Sequence, residues 1–400
     1  MDFAISEEAS HITDSIDRFI ETEVEPLERE NLEFLGEDYE KYIVDENHRQ
    51  VDAYRDVLNT IRRKSAEAGF YGMSMPSSIG GGDVDVLTRA VVGEHVANRE
   101  PGFHTPILGG AGGPTKILLA CDEDQTRRFV DPLMAGELTT CFALSEPDHG
   151  SDPQYMATTA TRDEDGWVIN GEKYWISNGP YADFAMVFAR TSGQDGDSKG
   201  ITCFIIEADN PGYSVGKIHR TMGLTPGGHS ELHFEKCRVS DDHILGEVDE
   251  GFTTAMQWIN SGRLYLAAHA VGKAQFLLDR AVEYAADRET FERPIGDRQG
   301  ISFELADVAT EIEQARHLYR YAAWAVEDGQ SVRKEVSMAK LRAAEALNLA
   351  ADVAVQVFGA AGFMKSNPVE RMYRAARVFR IFEGTDEIQR QTIANELLQH

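Results

Sequence analysis

The sequence predicts an α+β multidomain chain: an N-terminal helical domain over residues 1–138, a middle antiparallel β domain over 139–244 and a C-terminal four-helix bundle over 245–400. Three observations predict it. Apolar residues recur at helical spacing in the first third, as Ile12, Ile16, Phe19 and Ile20 and again as Tyr54, Val57, Leu58 and Ile61. From 139 to about 241 the pattern changes to short β-branched and aromatic runs separated by turn dipeptides such as Asp165-Gly166 and Asn170-Gly171. From Gly251 onward four amphipathic stretches follow one another with short connections, which implies a bundle.

Composition sets the outer limits. A 400-residue chain with 42% hydrophobic content buries a large core. No run of about twenty apolar residues is expected to cross a bilayer, since the candidate at 264–278 is interrupted by His269 and Lys273. The first residues lack a basic segment followed by an apolar one, so no secretory signal is expected. Cys121, Cys141, Cys203 and Cys237 lie far apart without C-x-x-C spacing, which argues against a zinc site or disulfide framework and for a reducing cytoplasm. The 67 acidic residues against 39 basic give a net charge of −28, a field that repels nucleic acid and anionic membrane. Only 11 of the basic residues are lysine and 28 are arginine; with carboxylates spread along the whole chain, this suggests a surface adapted to high salt, the alternative being an acidic mesophilic protein.

Each element follows in order. Residues 31–49 are charged and weakly periodic and read as a solvated insertion or long loop. Gly109-Gly110-Ala111-Gly112-Gly113-Pro114 has neither a preceding strand nor the G-x-G-x-x-G order, so it reads as a helix-to-helix connection. Strands are expected at Trp167-Val168-Ile169, Phe184-Ala185-Met186-Val187-Phe188, Ile201-Thr202-Cys203-Phe204-Ile205-Ile206 and Glu231-Leu232-His233-Phe234. His229 and His233 are four apart, but a strand position and the lack of a third ligand argue against a metal. The bundle helices are expected at 252–287, 302–327, 331–358 and 368–380.

The chemistry concentrates in Ile381-Phe382-Glu383-Gly384-Thr385. Ile381 and Phe382 desolvate the Glu383 carboxylate and raise its pKa towards the working pH, and Gly384 lets the backbone turn tightly, so Glu383 reads as a catalytic base.

Five motifs then fall in sequence: Cys141-Phe142-Ala143-Leu144-Ser145-Glu146-Pro147 with Gly150-Ser151-Asp152, Lys173-Tyr174-Trp175-Ile176-Ser177-Asn178-Gly179, Arg288-Glu289-Thr290-Phe291, Gln356-Val357-Phe358-Gly359, and the Glu383 stretch. In this order and at this spacing the chain resembles the acyl-CoA dehydrogenase family over nearly its whole length. The resemblance implies FAD as cofactor and Glu383 as the base that takes the α-proton of an acyl-CoA thioester, the flavin accepting the β-hydride to leave a trans-2-enoyl-CoA. It assigns Phe142, Leu144, Ser145, Trp175, Ile176 and Ser177 to the flavin ring and Ser151 to flavin or CoA. Arg288, Phe291, Gln356, Gly359, Thr385 and Glu387 fall to the adenosine and pyrophosphate half, several of them reaching in from a neighbouring subunit. Arg263 and Gly384 join Glu383 at the substrate. A subset of the family carries its base beside the arginine matched by Arg263; here that neighbour is Gly262, which leaves Glu383.

His149 and Tyr155 depart from the family's small residues around Gly-Ser-Asp, Ala360 from a common glycine and Ala375 from a common aspartate. The partners implied are an acyl-CoA, an electron-transfer flavoprotein and a second copy of the chain, as a dimer or dimer of dimers. An acyl-CoA oxidase and a helical acyl-CoA-binding protein without chemistry are the alternatives; acyl chain length is not legible.

Overall fold

The computed structural model describes residues 5–398. Its first helix, α1 (Glu7–Phe19), is started by Ser6, whose hydroxyl accepts the Ala9 N–H at 3.1 Å, and buries Ala9, Ile16 and Phe19. α2 (Asp52–Glu67) turns Tyr54, Val57 and Ile61 into the same core. α3 (Val86–Ala97), capped by the Asp85 carboxylate on the Thr88 N–H, is apolar on nearly every face because it lies between this core and the C-terminal helices.

Residues 31–49 correct the expectation of a solvated loop. Phe34, Tyr39 and Ile43 are buried in the first core, on a helical turn at Leu32–Phe34 and a short helix at Tyr39–Ile43. The many charges of this segment mask three apolar anchors spaced four to five residues apart. The glycine-rich stretch is a connection of short 3-10 turns, Thr105–Leu108 and Gly110–Gly112, with Gly109 and Gly110 at φ +83° and +60°.

The middle of the chain forms one eight-stranded sheet. Its strands are β1 (Thr140–Ala143), β2 (Thr159–Arg162), β3 (Trp167–Ser177), β4 (Phe184–Arg190), β5 (Ile201–Glu207), β6 (Tyr213–Ile218), β7 (His229–Val239) and β8 (Ile244–Leu245), in the order β6-β7-β3-β2-β4-β5-β8 with β1 on β4. The sheet is mixed rather than purely antiparallel: β1 and β2 each meet β4 in parallel. β4 is buried along its whole length, so it reads as a continuous apolar run instead of an alternation. Between Lys173 and Ile176 the β3–β7 register shifts, and at this bulge Trp175 takes φ +63°. The extra residue turns Trp175 outward, 60% exposed, while Lys173 and Ile176 on either side are buried.

Lys173 is fully buried and paired with Glu146, its Nζ 2.7 Å from Oε1 and 3.1 Å from the Leu144 carbonyl. The Glu146 carboxylate also accepts the Ala157 and Thr158 N–H groups at 2.6 and 3.0 Å. Burial, the first influence, pushes Lys173 down to about 8, and Glu146 opposes it; for Glu146 burial works upward, and Lys173 with these hydrogen bonds holds the carboxyl below its usual range.

The C-terminal helices are α4 (Gly251–Asp287), α5 (Gln299–Glu327), α6 (Arg333–Phe358), α7 (Pro368–Ala376) and α8 (Asp386–Leu398). The bundle therefore has three long helices, with the shorter α7 and α8 packed on α6, in place of four long ones. Pro368 starts α7, and the 3-10 turn Arg377–Arg380 with the left-handed Glu383-Gly384 pair ends it before α8 begins. The stretch Arg333–Phe363 is long and apolar enough by composition to span a bilayer. Here its alanine-rich faces form the centre of the bundle core. Arg288 lies just beyond α4, opening the hairpin of β9 (Glu289–Thr290) and β10 (Arg293–Pro294), rather than on a bundle helix. Glu94 of α3 binds Arg316 at 2.7 Å, Arg320 at 3.5 Å and the Tyr319 hydroxyl, which fastens the first domain to α5.

Removing the Lys173 ammonium leaves Glu146 buried without its counter-charge. Lys173→Met is expected to cost about 3–5 kcal/mol in urea unfolding at pH 7, and adding Glu146→Gln in the same chain to recover most of that loss.

Candidate active site

Glu383 stands between the 3-10 turn Arg377–Arg380 and α8, in a bend that the Ile381 and Phe382 N–H groups begin by donating to the Val378 carbonyl. Its φ is +52° and that of Gly384 is +89°. A left-handed glutamate is unfavourable by about 1–2 kcal/mol, so the bend persists because its surroundings hold it. Arg263 Nε of α4 donates to the Glu383 carbonyl at 2.9 Å, Lys340 Nζ of α6 to the Gly384 carbonyl at 2.7 Å, and Gln389 Nε2 of α8 to both, at 3.1 and 3.0 Å. Asn260 receives Arg263 Nη1 at 3.1 Å and aims the guanidinium. A Cβ on Gly384 would lie 2.8 Å from the Gln389 amide and 2.9 Å from Arg263, so a side chain there would dislodge the clamp.

All three clamps grip the backbone. Among the described residues the Glu383 carboxylate accepts no hydrogen bond, and Gly262 faces it: a Cβ at 262 would lie 3.6 Å from Oε2. Burial raises Glu383 to about 7, with the positive charges of Arg263 and Lys340 working in the opposite direction. Burial likewise lowers Lys340 to about 8, and Asp386 opposes it.

The residues matched to the flavin ring divide by depth. Phe142 is half-buried, stacked on Trp258 of α4 at 4.2 Å and tilted against Phe188 at 4.9 Å. Leu144 and Ile176 point into the β-domain cores, so only their backbones are available to a ligand. Ser145 and Ser177 are half-buried, with no hydrogen bond on either hydroxyl among the described residues. The Ser145 carbonyl accepts the Tyr174 N–H at 2.9 Å, which brings both segments together beside Trp175. Trp175 lies on His219, with ring centroids 4.3 Å apart. Two orphaned hydroxyls and an exposed indole at one edge fit a flat ring system carrying hydrogen-bonding atoms. Ser151 is exposed; His149 stacks on Tyr155 at 6.1 Å, and Tyr155 covers Gly196 in the loop between β4 and β5. Ala375 packs its backbone against Gly223, and Ala360 is exposed.

Arg288, Phe291, Gln356 and Gly359 gather elsewhere. Tyr284 of α4 stacks on Phe358 of α6 at 4.3 Å, which joins their ends. Phe291 is 91% exposed on the hairpin tip, with φ +50°, and Arg288 is exposed without an ion pair among the described residues. Thirty residues of α4 separate Trp258, at the ring site, from Arg288, a distance of about 45 Å at 1.5 Å per residue. One chain does not bring both groups to one site. Thr385 and Glu387 lie at the start of α8, where the Thr385 hydroxyl accepts the Ile388 N–H at 3.3 Å.

Lys340, Gln389, Asn260 and the Glu146–Lys173 pair complete the site and were not read from the sequence. A lysine among Val336, Ala339, Ala343 and Leu347 on an otherwise apolar helix is the signal that could have found Lys340.

Fold and site together define an FAD-dependent oxidoreductase. The acyl-CoA dehydrogenase N-terminal, middle and C-terminal domain models match residues 6–137, 141–237 and 249–398, and the chain belongs to the acyl-CoA dehydrogenase family. It is 40% identical over 338 residues to an acyl-CoA dehydrogenase of Bacillus subtilis, covering 84% of this chain and 89% of that one. It is 37% identical to the caffeyl-CoA reductase-Etf complex subunit CarC of Acetobacterium woodii, over 91% and 97% of the two chains. The structure of butyryl-CoA dehydrogenase from Megasphaera elsdenii superposes with a TM-score of 0.85 at 32% identity, covering all of both chains.

A base titrating near 7 makes the acid limb of kcat/KM rise to a plateau above that pH. Lys340→Met removes a cation that favours the ionised carboxylate, so the limb is expected to move to higher pH in a rate profile from pH 5 to 9; an unmoved limb would assign it to another group.

Proposed function

We propose that the protein oxidises the Cα–Cβ bond of an acyl-CoA thioester, with Glu383 taking the α-proton. The observation that supports this most is the bare carboxylate: its backbone is clamped by Arg263, Lys340 and Gln389 while its oxygens, beside Gly262, accept no hydrogen bond among the described residues. FAD, when bound, supplies the two-electron acceptor. Ser145, Ser177 and Trp175 would hold its ring, and Phe142 with Trp258 forms the adjoining apolar wall. Burial stores the carboxylate near 7, so it gives up a proton about as readily as it takes one, and the electron partner sets the direction. An electron-transfer flavoprotein is the partner we assign, a reading supported by the Etf-linked relative.

Glu383→Gln keeps side-chain size and removes the base. It is expected to lower turnover by more than about a hundredfold while flavin absorbance and fold persist. A variant above that rate would place the base elsewhere. Linkage gives an independent check. Because the folded value lies above the unfolded one, the protonated carboxyl stabilises the fold at low pH, and that contribution disappears as pH rises through about 7. Glu383→Gln should therefore raise the melting temperature relative to wild type at pH 8 more than at pH 5.

We further infer a homo-oligomer, a dimer or dimer of dimers, in which Arg288, Phe291, Gln356 and Gly359 of one copy complete the cofactor site of another. The support is the separation of the two groups along α4 and the exposure of Phe291. Surface charge, the four unpaired cysteines and the low lysine content support a cytoplasmic protein adapted to high salt. On a sizing column in molar salt, wild type is expected to run as an oligomer with bound flavin and Arg288→Ala to lose both. In tens of millimolar salt the Debye length grows from about 3 Å towards 10 Å or more, so the wild-type assembly should weaken as well. A flavin-replete monomer, or an assembly indifferent to salt, would contradict the respective reading.

A further inference from the structure

Past the base, the structure holds a group of cations and imidazoles that the reaction leaves unused. Tyr265, His269 and Lys273 continue the α4 stripe that begins at Gly262, since steps of three, four and four residues return to one helix face. Gly262 faces Glu383, and Lys273 lies about 16 Å further along the axis. The ring of His269 lies parallel to Phe379 with centroids 6.3 Å apart, and Phe379 meets Phe382 edge-on at 5.1 Å, so one aromatic layer links this group to the base. His104, from the turn after α3, and Arg371, from α7, close the group from the other side, near enough for both Lys273 and Arg371 to disfavour a charged His104.

No negative charge answers them. Among the described residues, Arg89, His104, His269, Lys273 and Arg371 have no ion pair and no side-chain hydrogen bond. Arg89 and Arg371 rest only on the rings of Tyr265 and Tyr39, at 4.3 and 3.9 Å, and His269 Nδ1 is buried without a partner. The carboxylates that approach are already engaged: Asp17 with His95 and Arg99, and Glu28 with the Phe103 N–H. Burial, then Arg371, lowers Lys273 to about 8, and burial keeps both imidazoles neutral and able to donate. A chain with 67 acidic residues that gives these five side chains no ion pair among the described residues fits a ligand that brings its own negative charge.

We propose that this group receives the far end of the acyl chain, and that the acyl group ends in a carboxylate: the substrate class is an ω-carboxyacyl-CoA. The assignment rests on the acyl-CoA reading above and narrows it. Lys273 and the arginines supply charge, and the imidazole N–H groups supply hydrogen bonds to the carboxylate oxygens.

Matched pairs of acyl-CoAs from four to sixteen carbons, one member methyl-ended and the other carboxyl-ended, test this on the flavin-loaded oligomer. Steady-state kcat/KM and the perturbation of flavin absorbance on anaerobic binding are the readouts. At the best length the carboxyl-ended member should exceed its partner at least about tenfold in kcat/KM, because a site of buried polar groups rejects an analogue that leaves them unpaired. Lys273→Met should reduce that ratio at least about tenfold, and Arg371→Met provides the same measurement where the first variant does not fold. Turnover of the methyl-ended series equal to or above the carboxyl-ended one, or a ratio that neither variant moves, overturns this proposal alone. Neither series binding nor reacting overturns the acyl-CoA reading with it.

Discussion

Two peptide carbonyls, those of Glu383 and Gly384, hold the candidate active site together. Arg263, Lys340 and Gln389 reach them from α4, α6 and α8, so three helices meet at one bend. Such a meeting offsets the conformational cost of a left-handed glutamate and explains why a lysine and a glutamine are buried in an apolar bundle. Donors aimed at the carboxylate would have lowered its pKa further; donors aimed at the backbone fix its position and leave burial as the largest influence on its affinity for a proton, against the charges of Arg263 and Lys340.

The β domain solves a related problem with a buried ion pair. Lys173 holds the Leu144 carbonyl and Glu146 while Glu146 holds the Ala157 and Thr158 N–H groups, so two segments of irregular backbone share one anchor on β3. On the same strand, two residues on, the bulge turns Trp175 out to the surface. Positions two apart on a regular strand face the same side; here the anchor and the exposed indole face opposite sides because a one-residue insertion between them reverses the side of the sheet that a residue faces.

Much of this was legible in the sequence. The order of helical, β and helical regions follows from a change of hydrophobic period, and Glu383 was marked by apolar neighbours on one side and glycine on the other. In residues 31–49 charge hides Phe34, Tyr39 and Ile43, and the fourth bundle helix stops at Ala376 rather than 380 because nothing local announces the change to a 3-10 turn at Arg377. Lys340, Gln389 and the Glu146–Lys173 pair escaped because their partners are backbone atoms or residues distant in the chain, and period and spacing report only on neighbours.

The clamp also has a mechanical side. With its root fixed by three helices and no hydrogen bond at its tip among the described residues, the Glu383 carboxylate is placed by its backbone alone. The reach of the side chain, one methylene longer than an aspartate, then sets where the carboxylate stands beside Gly262, since no donor is placed to draw a shorter arm to the same point.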